Sequence, residues 1–163
     1  MRLEKFMLCI AAATMLAACN TLTPEERIEL AKRVNRQLDS RHYTIDVRTI
    51  IPRMGQTNDF TGNWSLEVRG DTLSSYLPYI GRSYSIPYGR GIGLDFDAPI
   101  DSYEETTGKH QERIIKLAVT NEEDSYVYTI EVSDDGSASI DVTAVKRDGI
   151  SFLGELETEP DRK

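Results

Sequence analysis

The sequence predicts a mainly β domain of the α+β class: a curved antiparallel sheet, or a small sandwich or partly open barrel, with one N-terminal helix. Three observations predict it. A capped apolar stripe of helical period opens the body of the chain. Apolar residues then alternate with polar ones in blocks from Tyr43 to Leu156. The blocks are joined by short, turn-rich connections that leave no room for crossover helices, so neighbouring strands should run antiparallel.

Ahead of this body, Arg2 and Lys5 form a charged start, Phe6 to Leu16 an apolar run, and Leu16-Ala17-Ala18-Cys19 closes it. The order is that of a bacterial secretory signal with a lipobox, cut before a cysteine that is then lipidated. A run of about eleven residues is too short for the roughly 30 Å hydrocarbon core, which takes about 20. Residues 1–18 therefore read as signal peptide and 19–23 as a lipidated tether. Residues 24–157 read as one β-rich domain and 158–163 as a polar tail, with no internal repeat. Cys9 leaves with the signal, so Cys19 has no thiol to pair with and a disulfide framework is excluded. Two or more acyl chains on Cys19 would anchor the protein stably.

Cleavage leaves 145 of the 163 residues, enough for one core. Loss of Arg2, Lys5 and Glu4 moves the formal net charge from −8 to −9. Such a surface excludes nucleic acid as an expected partner, because phosphate binding needs clustered Lys and Arg.

Thr23-Pro24-Glu25-Glu26 starts the helix: Thr23 caps, Pro24 suits the first position and Glu26 completes a capping box. Ile28, Ala31, Val34 and Leu38 recur at helical spacing with Leu30 beside them, and Arg33 and Arg36 near the end suit the helix dipole. From Tyr43 the period becomes two. Tyr43, Ile45 and Val47 make a strand closed by Pro52, and 53–63 read as a loop. Trp64, Leu66 and Val68 share a face, and Gly70-Asp71 turns the chain into a strand over 72–76. Ile115 to Val119, Tyr126 to Val132, Ile140 to Ala144 and Ile150 to Leu156 supply four more strands, with Asp134-Asp135-Gly136 as a turn.

The stretch from Leu77 to Tyr103 departs from this pattern. It is rich in Gly and Pro, and Tyr76, Tyr79, Tyr84, Tyr88 and Tyr103 bring five of the eight tyrosines close together in sequence. Tyrosines on such a loop can present ring faces and hydroxyls to a ligand, or cover the end of a sheet and bond its irregular backbone. Gly89-Arg90-Gly91-Ile92-Gly93 lacks the Lys-Ser/Thr of a phosphate loop.

Leu77-Pro78-Tyr79-Ile80-Gly81, the stretch from Tyr84 to Tyr88, Gly93 to Ile100, and Lys146-Arg147 with Ile150 to Gly154 resemble domain of unknown function 4251, a family of Bacteroides-type envelope proteins. In that family an Asn usually stands where this chain has Lys146. The resemblance spans roughly Thr23 to Glu157. It implies a Gram-negative envelope lipoprotein and carries no activity or ligand. Acidic residues arrive only at Glu25-Glu26, away from Cys19, which favours the periplasmic face of the outer membrane over the cell surface.

Catalytic signals are sparse. His42 and His110 stand alone, no nucleophile elbow is present, and loss of Cys9 with lipidation of Cys19 would leave no cysteine nucleophile. Asp95 and Asp97 alternate on an expected strand, about 6.5–7 Å apart on one face, and are weak candidates for a cation site or an acid–base pair. The expected function is a non-enzymatic binding or interaction module, without cofactor, that meets the membrane through its lipid and an envelope protein or small ligand through the tyrosines. The alternative is a metal-dependent or carboxylate-using hydrolase built on Asp95 and Asp97.

Overall fold

The structure is a computed structural model and describes residues 22–84 and 93–158. The signal segment with Cys19, Tyr88 and the last five residues lie outside these.

Helix α1 spans Pro24–Ser40 and starts as its capping box dictates. The Thr23 hydroxyl accepts from the Glu26 N–H at 3.3 Å, and Glu26 Oε2 accepts from the Thr23 N–H at 2.7 Å. Hydrogen bonding of its carboxylate by the Thr23 backbone N–H, and then by the Thr23 side chain, holds Glu26 below the usual range. Its buried face is narrower than the sequence stripe. Val34 and Leu38 are buried and Leu30 packs beside them, whereas Ile28 is exposed. The helix also outruns the expected dipole pairing. It continues to Ser40, so Arg33 and Arg36 precede the last turn, which holds no basic residue. Arg41, in the left-handed conformation (φ 52°), ends it by donating its N–H to the Leu38 carbonyl.

Eight strands follow: β1 His42–Pro52, β2 Asn58–Arg69, β3 Thr72–Leu77, β4 Leu94–Thr107, β5 Arg113–Thr120, β6 Ser125–Val132, β7 Ser137–Ala144 and β8 Ile150–Leu156. Each pairs antiparallel with the next, and β8 pairs back onto β1, so the sheet closes into an up-and-down barrel. The expected mainly β, antiparallel architecture with its N-terminal helix is present; the curved sheet or partly open barrel is in fact closed, and the sandwich is corrected. Closure leaves no strand edge along the β1–β8 seam for another chain to pair with. Two devices permit it. β1 slips register between Val47 and Thr49, and Gly154 opposite Val47 leaves room for the Asp46 carbonyl, into which a Cβ would be driven.

Two further boundaries differ from expectation. β2 begins at Asn58 within the expected loop: Asp59 pairs with Thr49 and Trp64 with Val47, so the residues between bulge out. β4 runs from Leu94 to Thr107, so Asp95 and Asp97 stand on a strand as expected, whereas Tyr103 leaves the Gly- and Pro-rich stretch for that strand.

Inward-facing side chains fill the barrel, as eight strands allow. Ile45, Leu66, Leu73, Leu117, Tyr128 and Phe152 are among the fully buried ones. A small polar pair crosses this interior. Tyr128 donates to Ser75 Oγ at 3.2 Å, and Ser75 donates to the Leu94 carbonyl at 2.8 Å. The exposed outer face carries charges such as Arg48, Asp95, Asp97 and Lys116, the reverse of the apolar band of a lipid-facing barrel.

One end of the barrel is covered by α1. Arg113 fastens it, donating to Asn35 Oδ1 and Asp39 Oδ1 at 2.8 Å each and pairing with Glu105. The opposite end carries 53–57, 78–84, 121–124 and 145–149 and is called the loop end below.

Candidate functional site at the loop end

The site is built on an ionic floor. Asp124 is buried in the β5–β6 turn, where its carboxylate accepts from the N–H groups of Ser125 (2.9 Å), Val145 (3.2 Å) and Lys146 (3.1 Å). Beside it lies Arg147, 7 % exposed, with Nε 3.6 Å from Asp124 and Nη2 3.5 Å from Glu123. The Arg147 guanidinium also sits over the rings of Tyr79 (5.4 Å) and Tyr126 (5.6 Å). Paired carboxylates and ring faces compensate the desolvation of this charge.

Tyr79 belongs to that floor. It is buried, and its hydroxyl lies 2.9 Å from the Arg82 carbonyl and 3.0 Å from the Asp148 carbonyl. Burial and the nearby Asp148 carboxylate push the phenol above its ordinary pKa. Tyr84 donates to Asp148 Oδ1 at 2.8 Å while its ring stays 71 % exposed. A bridge between Ser83 and Arg147 and the bond from the Tyr84 N–H to the Lys146 carbonyl (2.8 Å) tie 79–84 to the β7–β8 connection.

Next to the floor is a cleft of about 750 Å³, within the usual range for ligand pockets. Its origin is a mismatch of strand length. β4 begins at Leu94 against β3, but its pairing with β5 starts only at Ile100, because β5 ends at Thr120 and turns. Among the described residues, Leu94 to Pro99 have a partner strand on the β3 side alone. The cleft occupies the other side, walled by the turn residues Asn121, Glu122 and Glu123. Phe96, stacked on Tyr126 with centroids 5.0 Å apart, lines it. Trp64 and Tyr76 add an aromatic pair with ring centroids 4.9 Å apart, and Tyr76 is 47 % exposed.

The structure thus divides the tyrosines. Tyr76 lines the cleft, Tyr79 lies buried in the floor, Tyr84 stands on the rim segment, and Tyr88 lies outside the described residues. Tyr103 is at the helix end, under the Arg41 guanidinium (4.2 Å) and 3.4 Å from the Tyr43 hydroxyl. Asp95 and Asp97 do share one face and do line the cleft. Asp97 accepts from the Ser74 hydroxyl and lies 3.8 Å from Arg69. Among the described residues no group of three or more His, Cys, Asp or Glu side chains could hold a metal ion. His42 starts β1 and His110 lies in the β4–β5 turn, both at the helix end and away from this cleft.

Sequence reasoning missed Trp64, Phe96 and the Asp124–Arg147 pair. Trp64 follows the inward alternation of Leu66 and Val68, so its period marks it as core. Only its position beside Gly62, where its indole fills the space a Cβ would need, shows the ring lying along the strand.

The model of the family described as a domain of unknown function, DUF4251, matches residues 25–156. The chain belongs to the DUF4251 family. The same fold occurs in the crystal structure of a DUF4251 family protein from Bacteroides eggerthii DSM 20697. That protein shares 16 % identity with a TM-score of 0.64, over 80 % of this chain and 88 % of the other. No curated protein matches the sequence.

Proposed function

We propose that this DUF4251 chain is a lipid-anchored envelope protein whose barrel is a non-enzymatic binding or interaction module, meeting its ligand or protein partner at the loop end. The observation that carries the reading is the cleft left where β4 outruns β5, with the Trp64–Tyr76 pair at its wall. A buried ionic floor beneath it gives the rigid support that a binding surface needs.

The anchor half of the reading rests on Leu16-Ala17-Ala18-Cys19 at the end of the apolar run. The tether, four residue steps from Cys19 to the cap at Thr23, reaches at most about 14 Å. It leads into α1, which covers the barrel end opposite the cleft, so the loop end would face away from the membrane. The outer membrane, on its periplasmic side, is the proposed location. Cys19→Ala should release the protein into the soluble fraction, and retention in the membrane would refute the anchor.

Thermal unfolding against divalent cations, glycans, muropeptides and bile acids tests the binding half. A ligand at about 100 times its Kd adds roughly 2.7 kcal/mol of stability. That gain should disappear in Tyr76→Ala. A carboxylate-using hydrolase remains a second reading because Asp95 and Asp97 both line the cleft. Turnover lost in Asp95→Asn would support it.

A further inference from the structure

The cleft has a chemistry of its own, and the following rests on the reading of it as a binding site. One wall is a strand that has, among the described residues, a single partner: β3 pairs with Leu94 to Pro99, while β5 joins β4 only from Ile100. The backbone on the cleft side of that stretch is positioned as a sheet edge is, with its N–H and C=O groups spaced to take a further strand. Pro99, which has no N–H, ends the stretch where β5 takes over.

Charge selects among extended segments. Among the described residues, Asp95, Asp97, Glu122 and Glu123 line the cleft and no Lys or Arg does, with Arg69 of β2 standing 3.8 Å from Asp97. The nearest buried cation, Arg147, is already held by Glu123 and Asp124. Asp95 and Asp97 stand two apart on the outer face of β4, so cationic side chains at alternate positions of an added strand would meet them. Trp64 and Tyr76 offer ring faces, which also attract cations.

We infer that the cleft takes an extended, lysine- or arginine-bearing peptide segment of an envelope protein, added as a short strand along Leu94 to Ala98 with its basic side chains toward Asp95 and Asp97. Main-chain pairing holds the segment and the carboxylates choose it. Free small cations lack the backbone to pair, and acidic or neutral extended segments lack the charge.

Trp64 is the only tryptophan of the chain and stands in the cleft wall, so its emission reports occupancy directly. The experiment titrates the full chain, purified in detergent, with a short capped peptide of alternating lysine and valine. Two controls are its glutamate–valine counterpart and a lysine–valine peptide methylated on its backbone nitrogens. Saturable change of Trp64 emission with the first alone is expected, screened by salt and about tenfold weaker in Asp95→Asn/Asp97→Asn. Equal binding of the methylated peptide would overturn strand addition, and equal binding of the glutamate peptide would overturn the charge rule. Silence with all peptides, beside a stabilising ligand from the thermal panel, would sink this inference and leave the binding module standing. Silence with both would remove the two together.

Discussion

Single residues hold this barrel in shape, and their loss has calculable costs. Asp124 is the sharpest case. Asp124→Asn keeps the shape but strips the charge that compensates buried Arg147, and breaking such a pair costs about 3–5 kcal/mol. Chemical denaturation should show that loss, and Arg147→Met in the Asp124→Asn background should recover part of it. Tyr79→Phe removes only the hydroxyl shared between the Arg82 and Asp148 carbonyls, a loss of about 0.5–1.5 kcal/mol. Gly154→Ala forces a methyl against the Asp46 carbonyl on the neighbouring strand. The β1–β8 seam must open for it, at about 1–3 kcal/mol. Residue identity alone foretold little of this. Arg147 stands out in sequence only within the Lys146-Arg147 block of the family resemblance, and Asp124 not at all, because neither burial nor partners separated by more than twenty positions leave a local signal.

At the scale of elements, the helix was legible because its start is written in adjacent residues. Thr23, Pro24 and Glu26 act on one another within a single turn, and the structure shows each in its expected role. Replacing Thr23 by Ala should lower stability by about 1 kcal/mol. Leu38→Ala, which empties the contact of α1 with the barrel, should cost about 2–5 kcal/mol. Strand existence was equally legible wherever one face is apolar. The alternation through Tyr126 to Val132 survives as buried Tyr126, Tyr128, Ile130 and Val132. Strand ends were not. β4 carries Pro99, and its alternation fades beyond Ile100, so nothing in its sequence marks a strand running to Thr107. For the same reason Tyr103 falls with the other tyrosines in the sequence. Nearness along the chain stands in for nearness in space only inside a turn, and β4 carries Tyr103 the length of the barrel away from Tyr76.

For the whole molecule, closure is the property that no local pattern announces. Whether β8 returns to β1 depends on tilt and register summed around eight strands. A curved sheet and a barrel share the same alternation. Closure has a consequence for pH. Tyr43 and Tyr128 are enclosed, and burial raises both phenols far above the ordinary value of about 10. In the folded state they stay protonated where the unfolded chain would ionise, so the native state binds more protons above that pH. Their contribution to stability is complete below about pH 10 and falls as pH rises beyond it. An absorbance titration of tyrosinate should show these groups ionising together with loss of tertiary structure rather than before it.

Helix α1 covers one end of the barrel, and the cleft with its aromatic pair lies at the other. The claim that this end is the binding face is tested most directly by Trp64 emission, followed in the wild type and in Tyr76→Ala while a ligand that stabilises the protein is added. A saturable change in the wild type that Tyr76→Ala abolishes is the predicted result. Full stabilisation by the ligand with Trp64 emission unmoved would place the binding site elsewhere and contradict the account.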